Sequence, residues 1–139
     1  MLERTLSIIK PDGVKTHRLG RIIARLEESG LQVKALTMHQ LTKENAMGFY
    51  QVYKDKPFYD RLTDFMSEGP VVVMVLEGEN AIALLRQVMG KTNPQEADPG
   101  TIRREFAESI ERNVIHGSDS LTSAAYEISY FFSALEIMP

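Results

Sequence analysis

An α+β fold (an α/β sandwich), with an antiparallel sheet and helices packed on one of its faces, is what this sequence predicts. Three observations carry the prediction. Strand-like and helix-like segments follow in the order β-α-β, then helices, then β-α-β-α. One apolar run, VVVMVL from Val71 to Leu76, reads as a fully buried strand. Glycine and proline mark the joints, at Pro11-Asp12-Gly13, Gly30, Gly69-Pro70 and Gly90.

Arg4 to Lys10 reads as the first strand, stopped by Pro11-Asp12-Gly13. Leu19, Ile22, Ile23 and Leu26 recur at helical spacing, and Gly30 follows as a C-cap. Leu31 to His39 is extended again, with Leu31, Val33 and Ala35 on one face. Thr42 can cap a helix that carries Ala46, Phe49, Tyr50 and Tyr53 on one stripe. Pro57 can open another helix, with Phe58, Leu62, Phe65 and Met66. After the Val71–Leu76 strand, Ala81, Leu84, Leu85 and Val88 form a helical stripe that ends at Gly90. The polar stretch KTNPQEADPGT has two prolines and no periodicity, and loops of that length are often functional. Thr101 to Ser109 can hold a short helix, and Asn113 to Ile115 a short last strand. Leu121, Ala124, Ala125, Ile128, Phe131 and Phe132 make the final helix. Two split βαβ units in this order give a ferredoxin-like βαββαβ sheet. A small doubly wound α/β sheet is the competing arrangement, and pattern alone separates the two poorly.

The chain has 139 residues without repeats or low-complexity tracts, so residues 1–139 are expected to form one domain. It is 43% hydrophobic and 25% charged, as in ordinary soluble proteins. No apolar run reaches the ~18–20 residues of a membrane span, and the apolar stretch of MLERTLSIIKPDG is too short for a secretory signal. A cytoplasmic location is the resulting expectation. Without cysteine there are no disulfides and no thiolate metal sites. A net charge of −3 argues against a general nucleic-acid coat but leaves room for a local basic pocket.

Gly90-Lys91-Thr92 matches the tail of a P-loop, but the glycine needed five residues earlier is Leu85, and a helix precedes it instead of a strand. Any phosphate binding must therefore use side chains. His17 and His39 lack partners at metal-ligand spacing and read as ordinary surface or strand residues.

His116 lies in NVIHGSDS, after an apolar pair and before a glycine. Ser118, Asp119 and Ser120 are all N-cap types for the helix that follows, and a helix start favours an incoming anion. Glu127, two turns into that helix, could fold back and orient the imidazole. A neutral imidazole nitrogen can attack phosphorus. Residue pattern alone still favours a structural histidine beside a capping serine. Lys10 sits at a strand end, Arg86 near the polar loop and Arg103 beside it; together they could surround a polyphosphate. Thr92 and Asn113 could add neutral hydrogen bonds. Tyr50 and Phe58 read as core by default, although an aromatic at a helix start could stack a base.

These residues stand in a longer ordered set: ERTLSIIKPDGV, GFY with KDKPFYDRL, GPVVVMVLEGENAI, RQVMGKTNP, ADPGTIRREF and NVIHGSDS with SAAYEISYFF. In these motifs the whole chain resembles the nucleoside diphosphate kinases of bacterial size. The resemblance implies ping-pong transfer of a γ-phosphate from a nucleoside triphosphate to a nucleoside diphosphate. It makes His116 the phosphorylated nucleophile, held and tuned by Glu127 and Ser118. It puts Lys10 on the ribose and terminal phosphate, with the Tyr50 hydroxyl beside it. Phe58 would stack on the base, Arg86, Thr92 and Arg103 would hold the phosphates, and Asn113 would bind a ribose hydroxyl. Mg²⁺ would arrive on the nucleotide, held mainly by phosphate oxygens and water. The resemblance also implies a homo-oligomer built from dimers, a tetramer or a hexamer, with no membrane and no obligatory nucleic acid as partner. Two other readings stay open: a histidine phosphocarrier without nucleotide turnover, and a non-catalytic binding domain.

Overall fold

The computed structural model describes residues 1–139. Four strands, β1 (Leu2–Ile9), β2 (Gln32–His39), β3 (Val71–Glu79) and β4 (Ile115–Gly117), form one sheet in the order β2-β3-β1-β4. All three pairings are antiparallel. This is the ferredoxin-like order, and the doubly wound parallel sheet is excluded.

Seven α-helices surround the sheet: α1 (Pro11–Lys15), α2 (Leu19–Glu28), α3 (Lys43–Phe49), α4 (Tyr59–Met66), α5 (Ala81–Met89), α6 (Ile102–Phe106) and α7 (Leu121–Phe131). They cover both faces, where one was expected. On one face, Ile9, Val72, Met74, Leu76 and Ile115 meet Ile22 and Leu26 of α2, Leu85 and Met89 of α5, and Ile102 of α6. On the other, Leu6, Ile8, Val71, Val73 and Val75 meet Ala46 and Phe49 of α3, Met66 of α4 and Phe132. Burial on both sides is why β3 can be apolar at every position from Val71 to Leu76.

Several local expectations shift. Pro11-Asp12-Gly13 does not merely stop β1; it forms most of α1, with proline in the first turn where its missing N–H costs nothing. In β2 a bulge falls between Val33 and Ala35. Leu31 and Val33 therefore join the first core while Ala35 joins the second, so the three do not share a face. Thr42 caps α3 as predicted, in a reciprocal pair with Asn45, but α3 ends at Phe49. Tyr50 is its C-cap and Tyr53 belongs to a 3₁₀ turn, Gln51–Tyr53. Phe58 is the N-cap of α4 rather than a residue inside it, α6 stops at Phe106, and Phe132 is the C-cap of α7. The last strand begins two residues later than predicted and takes in His116.

Candidate active site

Strand β4 sets the site. Its register places His116 opposite Ile8 and Gly117 opposite Ser7, so the two point to opposite faces of the sheet. His116 faces the α3/α7 side, with the rings of Phe49 and Tyr50 edge-on at centroid distances of 5.3 and 5.9 Å. Gly117 faces α5, where a Cβ would lie 2.7 Å from Met89 Sδ and 2.9 Å from Leu85 Cδ2. Only glycine lets the strand approach α5 this closely.

The start of α7 divides its three candidate caps. Ser120 is the cap, accepting from the Ser123 N–H at 3.0 Å. Ser118 is fully buried and does other work: its hydroxyl donates to Glu127 Oε1 at 2.8 Å and accepts from the Leu6 N–H at 3.2 Å. The same Glu127 oxygen lies 2.7 Å from His116 Nε2. The side chains of His116 and Glu127 retain 16% and 14% of their exposure, so the ring is sheltered yet reachable.

The expected cations converge on the same region. Lys10, at the joint of β1 and α1, is buried and donates from Nζ to Asn113 Oδ1 at 2.8 Å. Arg103 of α6 is buried too, donating to the carbonyls of Asn113 (3.3 Å), Gly90 (3.2 Å) and Ile115 (2.7 Å). Arg86 of α5 donates to the Gly117 carbonyl at 3.2 Å. None of the three pairs with a carboxylate. Burial, followed by the Arg103 charge, pushes the Lys10 amine down to about 7, and Asp12 partly offsets this. Burial and then Arg86 push Arg103 down to about 10. Three basic groups brought together with no ion-pair partner favour an anion, which would restore the charged form of Lys10.

Lys10, Tyr50, Arg86, Thr92, Arg103, His116 and Glu127 line one cavity of about 330 Å³. Tyr50 carries a buried hydroxyl with no partner, and burial holds its acidity well below that of free tyrosine. A second cavity of about 440 Å³ shares Lys10 and Thr92 with the first and adds Phe58, Leu62, Ile110 and Asn113. Phe58 is 39% exposed there, so the core reading of that ring fails. Ser118 is the one expected site residue that lines neither cavity; it acts through Glu127. Asp119 and Tyr53, which the sequence reading did not place in a site, also line the first cavity. The Ser123 hydroxyl, followed by Arg86, holds the Asp119 carboxyl below its ordinary range. Their only signal was proximity in sequence to His116 and Tyr50.

The chain matches known proteins along its whole length. The family model described as nucleoside diphosphate kinase matches residues 3–137. The chain belongs to the nucleoside diphosphate kinase family. It is a phosphotransferase that moves a phosphate from nucleoside triphosphates to nucleoside diphosphates. The nucleoside diphosphate kinase of Desulforapulum autotrophicum is 55% identical over 99% of both chains. That of Chlamydia abortus is 58% identical over 99% of this chain and 97% of its own. Among solved structures, the nucleoside diphosphate kinase of Aquifex aeolicus superposes with a TM-score of 0.98 at 47% identity, over 99% of this chain and 100% of that one. A halophilic nucleoside diphosphate kinase from Halobacterium salinarum, solved in complex with CDP, gives 0.95 at 40% identity, over 100% and 93%. Nothing among these relatives favours a phosphocarrier.

Proposed function

We propose that His116 carries the phosphate between the two nucleotides in a ping-pong exchange. The observation that carries this reading is the contact of His116 Nε2 with Glu127 at 2.7 Å, which leaves Nδ1 as the other ring nitrogen. A carboxylate accepting from Nε2–H fixes that tautomer and keeps the lone pair on Nδ1. Ser118 donates to the same oxygen and holds the carboxylate in place. Nδ1 attacks the γ-phosphorus; the N–P bond forms as the bond to the β–γ bridging oxygen breaks, and the diphosphate leaves with that electron pair. A terminal phosphate oxygen of the second diphosphate then attacks phosphorus and returns the pair to Nδ1.

In-line placement and neutralised charge are what such a transfer needs most. Arg86, Thr92 and Arg103 hold the phosphates. Lys10 reaches the terminal phosphate and the ribose, Asn113 binds a ribose hydroxyl, and the Tyr50 phenol supplies a donor beside them. Phe58 stacks on the base from an exposed slot. A single aromatic face reads no base edge, so broad base tolerance follows, and deoxyribose substrates react as well.

Mg²⁺ belongs to this proposal. No group of three or more His, Asp or Glu could hold a metal unaided. The ion would arrive on the nucleotide, and Asp119, the cavity carboxylate that does not contact His116, would be the residue nearest to hand to help hold it. Such an ion supplies charge neutralisation at the phosphate. We further read residues 1–139 as a single domain, located in the cytoplasm and assembled from dimers into a tetramer or a hexamer. Support for assembly comes from edge strand β2, where Leu36 and Met38 are half exposed. Light scattering tests the assembly. For the chemistry, the protein is mixed with γ-labelled ATP and Mg²⁺. Acid-labile, base-stable label on His116 that any added nucleoside diphosphate removes is the expected result. Label that stays in the presence of nucleoside diphosphate would reject the exchange.

A further inference from the structure

The Pro11-Asp12-Gly13 segment has no part in the transfer described above, yet it grips the strained turn beside the site. Val114 has φ of +61°, a conformation that β-branched residues rarely adopt. Across it the Ile115 N–H donates to the Asn113 carbonyl at 2.8 Å, closing a three-residue turn. That turn sets three groups at once. It fixes the Asn113 side chain that meets Lys10, and it aims the Asn113 and Ile115 carbonyls that hold Arg103. It also launches β4, whose second residue is His116.

The grip has two hydrogen bonds. The Lys10 N–H donates to the Val114 carbonyl at 2.8 Å, and the Val114 N–H donates to Asp12 Oδ2 at 3.1 Å. Val114 is buried, so without Asp12 its N–H would have no partner and no ready access to water. Gly13 permits the approach: a Cβ there would lie 2.9 Å from Ile9 Cγ2 and 3.3 Å from the Val114 oxygen. A favourable charge in the first turn of α1 is a simpler role for Asp12. That role does not explain a bond reaching 102 residues along the chain.

We propose that Asp12 is a positioning residue for phosphoryl transfer: its carboxylate clamps the Val114 turn and so aims His116, Asn113 and Arg103 together. The proposal rests on the assignment of His116 made above. Small misplacements of reacting groups are costly, so the expected effects lie in rate rather than in folding alone.

The test measures single-turnover phosphorylation of His116 by ATP and Mg²⁺ at a temperature where circular dichroism shows each variant folded. Asp12→Asn keeps an oxygen acceptor and loses the charge; its rate constant should stay within about threefold of the original. Asp12→Glu keeps the charge but displaces the acceptor by a methylene, and should be slower by ~10-fold or more. Asp12→Ala should be equally slow, with faster hydrogen exchange at the Val114 amide. Should Asp12→Ala fail to fold, the Asn and Glu variants still decide. An Asn variant as slow as the Glu variant, or three variants as fast as the original, would overturn the clamp. A parent protein that takes no label on His116 would instead reject the assignment of the nucleophile, before any variant is compared.

Discussion

The two faces of the sheet treat adjacent residues of β4 in opposite ways. On the α2/α5 face Gly117 lies against Leu85 and Met89 with no room for one more carbon. On the α3/α7 face His116 is reachable from solvent, and Arg86 of α5 and Arg103 of α6 reach its cavity, with Lys10, from the β4 edge of the sheet. One face is filled by apolar side chains and serves as foundation. The other gives up close packing at its β4 end, where cations carried by both sides of the sheet converge. Pleating alone separates the two fates, since neighbouring residues of a strand must face opposite ways. The packed face thus holds the short strand in the sheet, while the open face leaves His116 within reach of solvent.

Three substitutions probe that division. The largest effect should come from His116→Ala: turnover falls by at least ~10⁴-fold, while nucleotide affinity and melting temperature change little. Near-parent turnover in that variant would erase the distinction between the faces. Next is Leu85→Ala behind the site, where a fully buried side chain leaves a cavity. Urea unfolding should show a loss of about 2–5 kcal/mol, while activity per folded molecule stays within about twofold. A large loss of activity with unchanged stability would show that the foundation takes part in the chemistry.

The last probe, a pH dependence of stability at Lys10, is the one with no readout in activity. Its folded value of about 7 lies below the ordinary 10.5, so between these the unfolded chain binds more protons. Stability therefore rises with pH across that window, and the penalty of burying the charge is fully present below it. Lys10→Met removes the penalty. The variant should exceed the parent most near pH 6, and the gap should narrow toward pH 10 in unfolding midpoints. Parallel curves would mean that Lys10 is not held in a charge-averse setting.

Much of this was legible in advance. The motif NVIHGSDS singled out His116 and Ser118, and the spacing to Glu127 suggested a partner for the ring. Residue pattern could not choose between a capping and a catalytic role, because Ser118, Asp119 and Ser120 are equivalent as caps until the helix axis is fixed. Structure splits them: Ser120 caps, Ser118 turns inward and Asp119 faces the cavity. The bulge that sends Ala35 to the second core left no mark in the apolar pattern of β2. Nor did anything in the sequence announce a strained conformation at Val114, a residue type that ordinarily avoids it.

By itself the sequence determined the order of elements, the buried character of β3 and a short list of candidate residues for phosphate chemistry. Those follow from local periodicity and side-chain type, which the chain carries wherever it folds. Only the tertiary structure decided which imidazole nitrogen meets Glu127, that Lys10 and Arg103 lie buried without a carboxylate partner, and that Asp12 reaches the turn beside His116. The Asp12 contact spans 102 residues and the Leu6 contact that holds Ser118 beside Glu127 spans 112, so this geometry exists only once both sides of the sheet have packed.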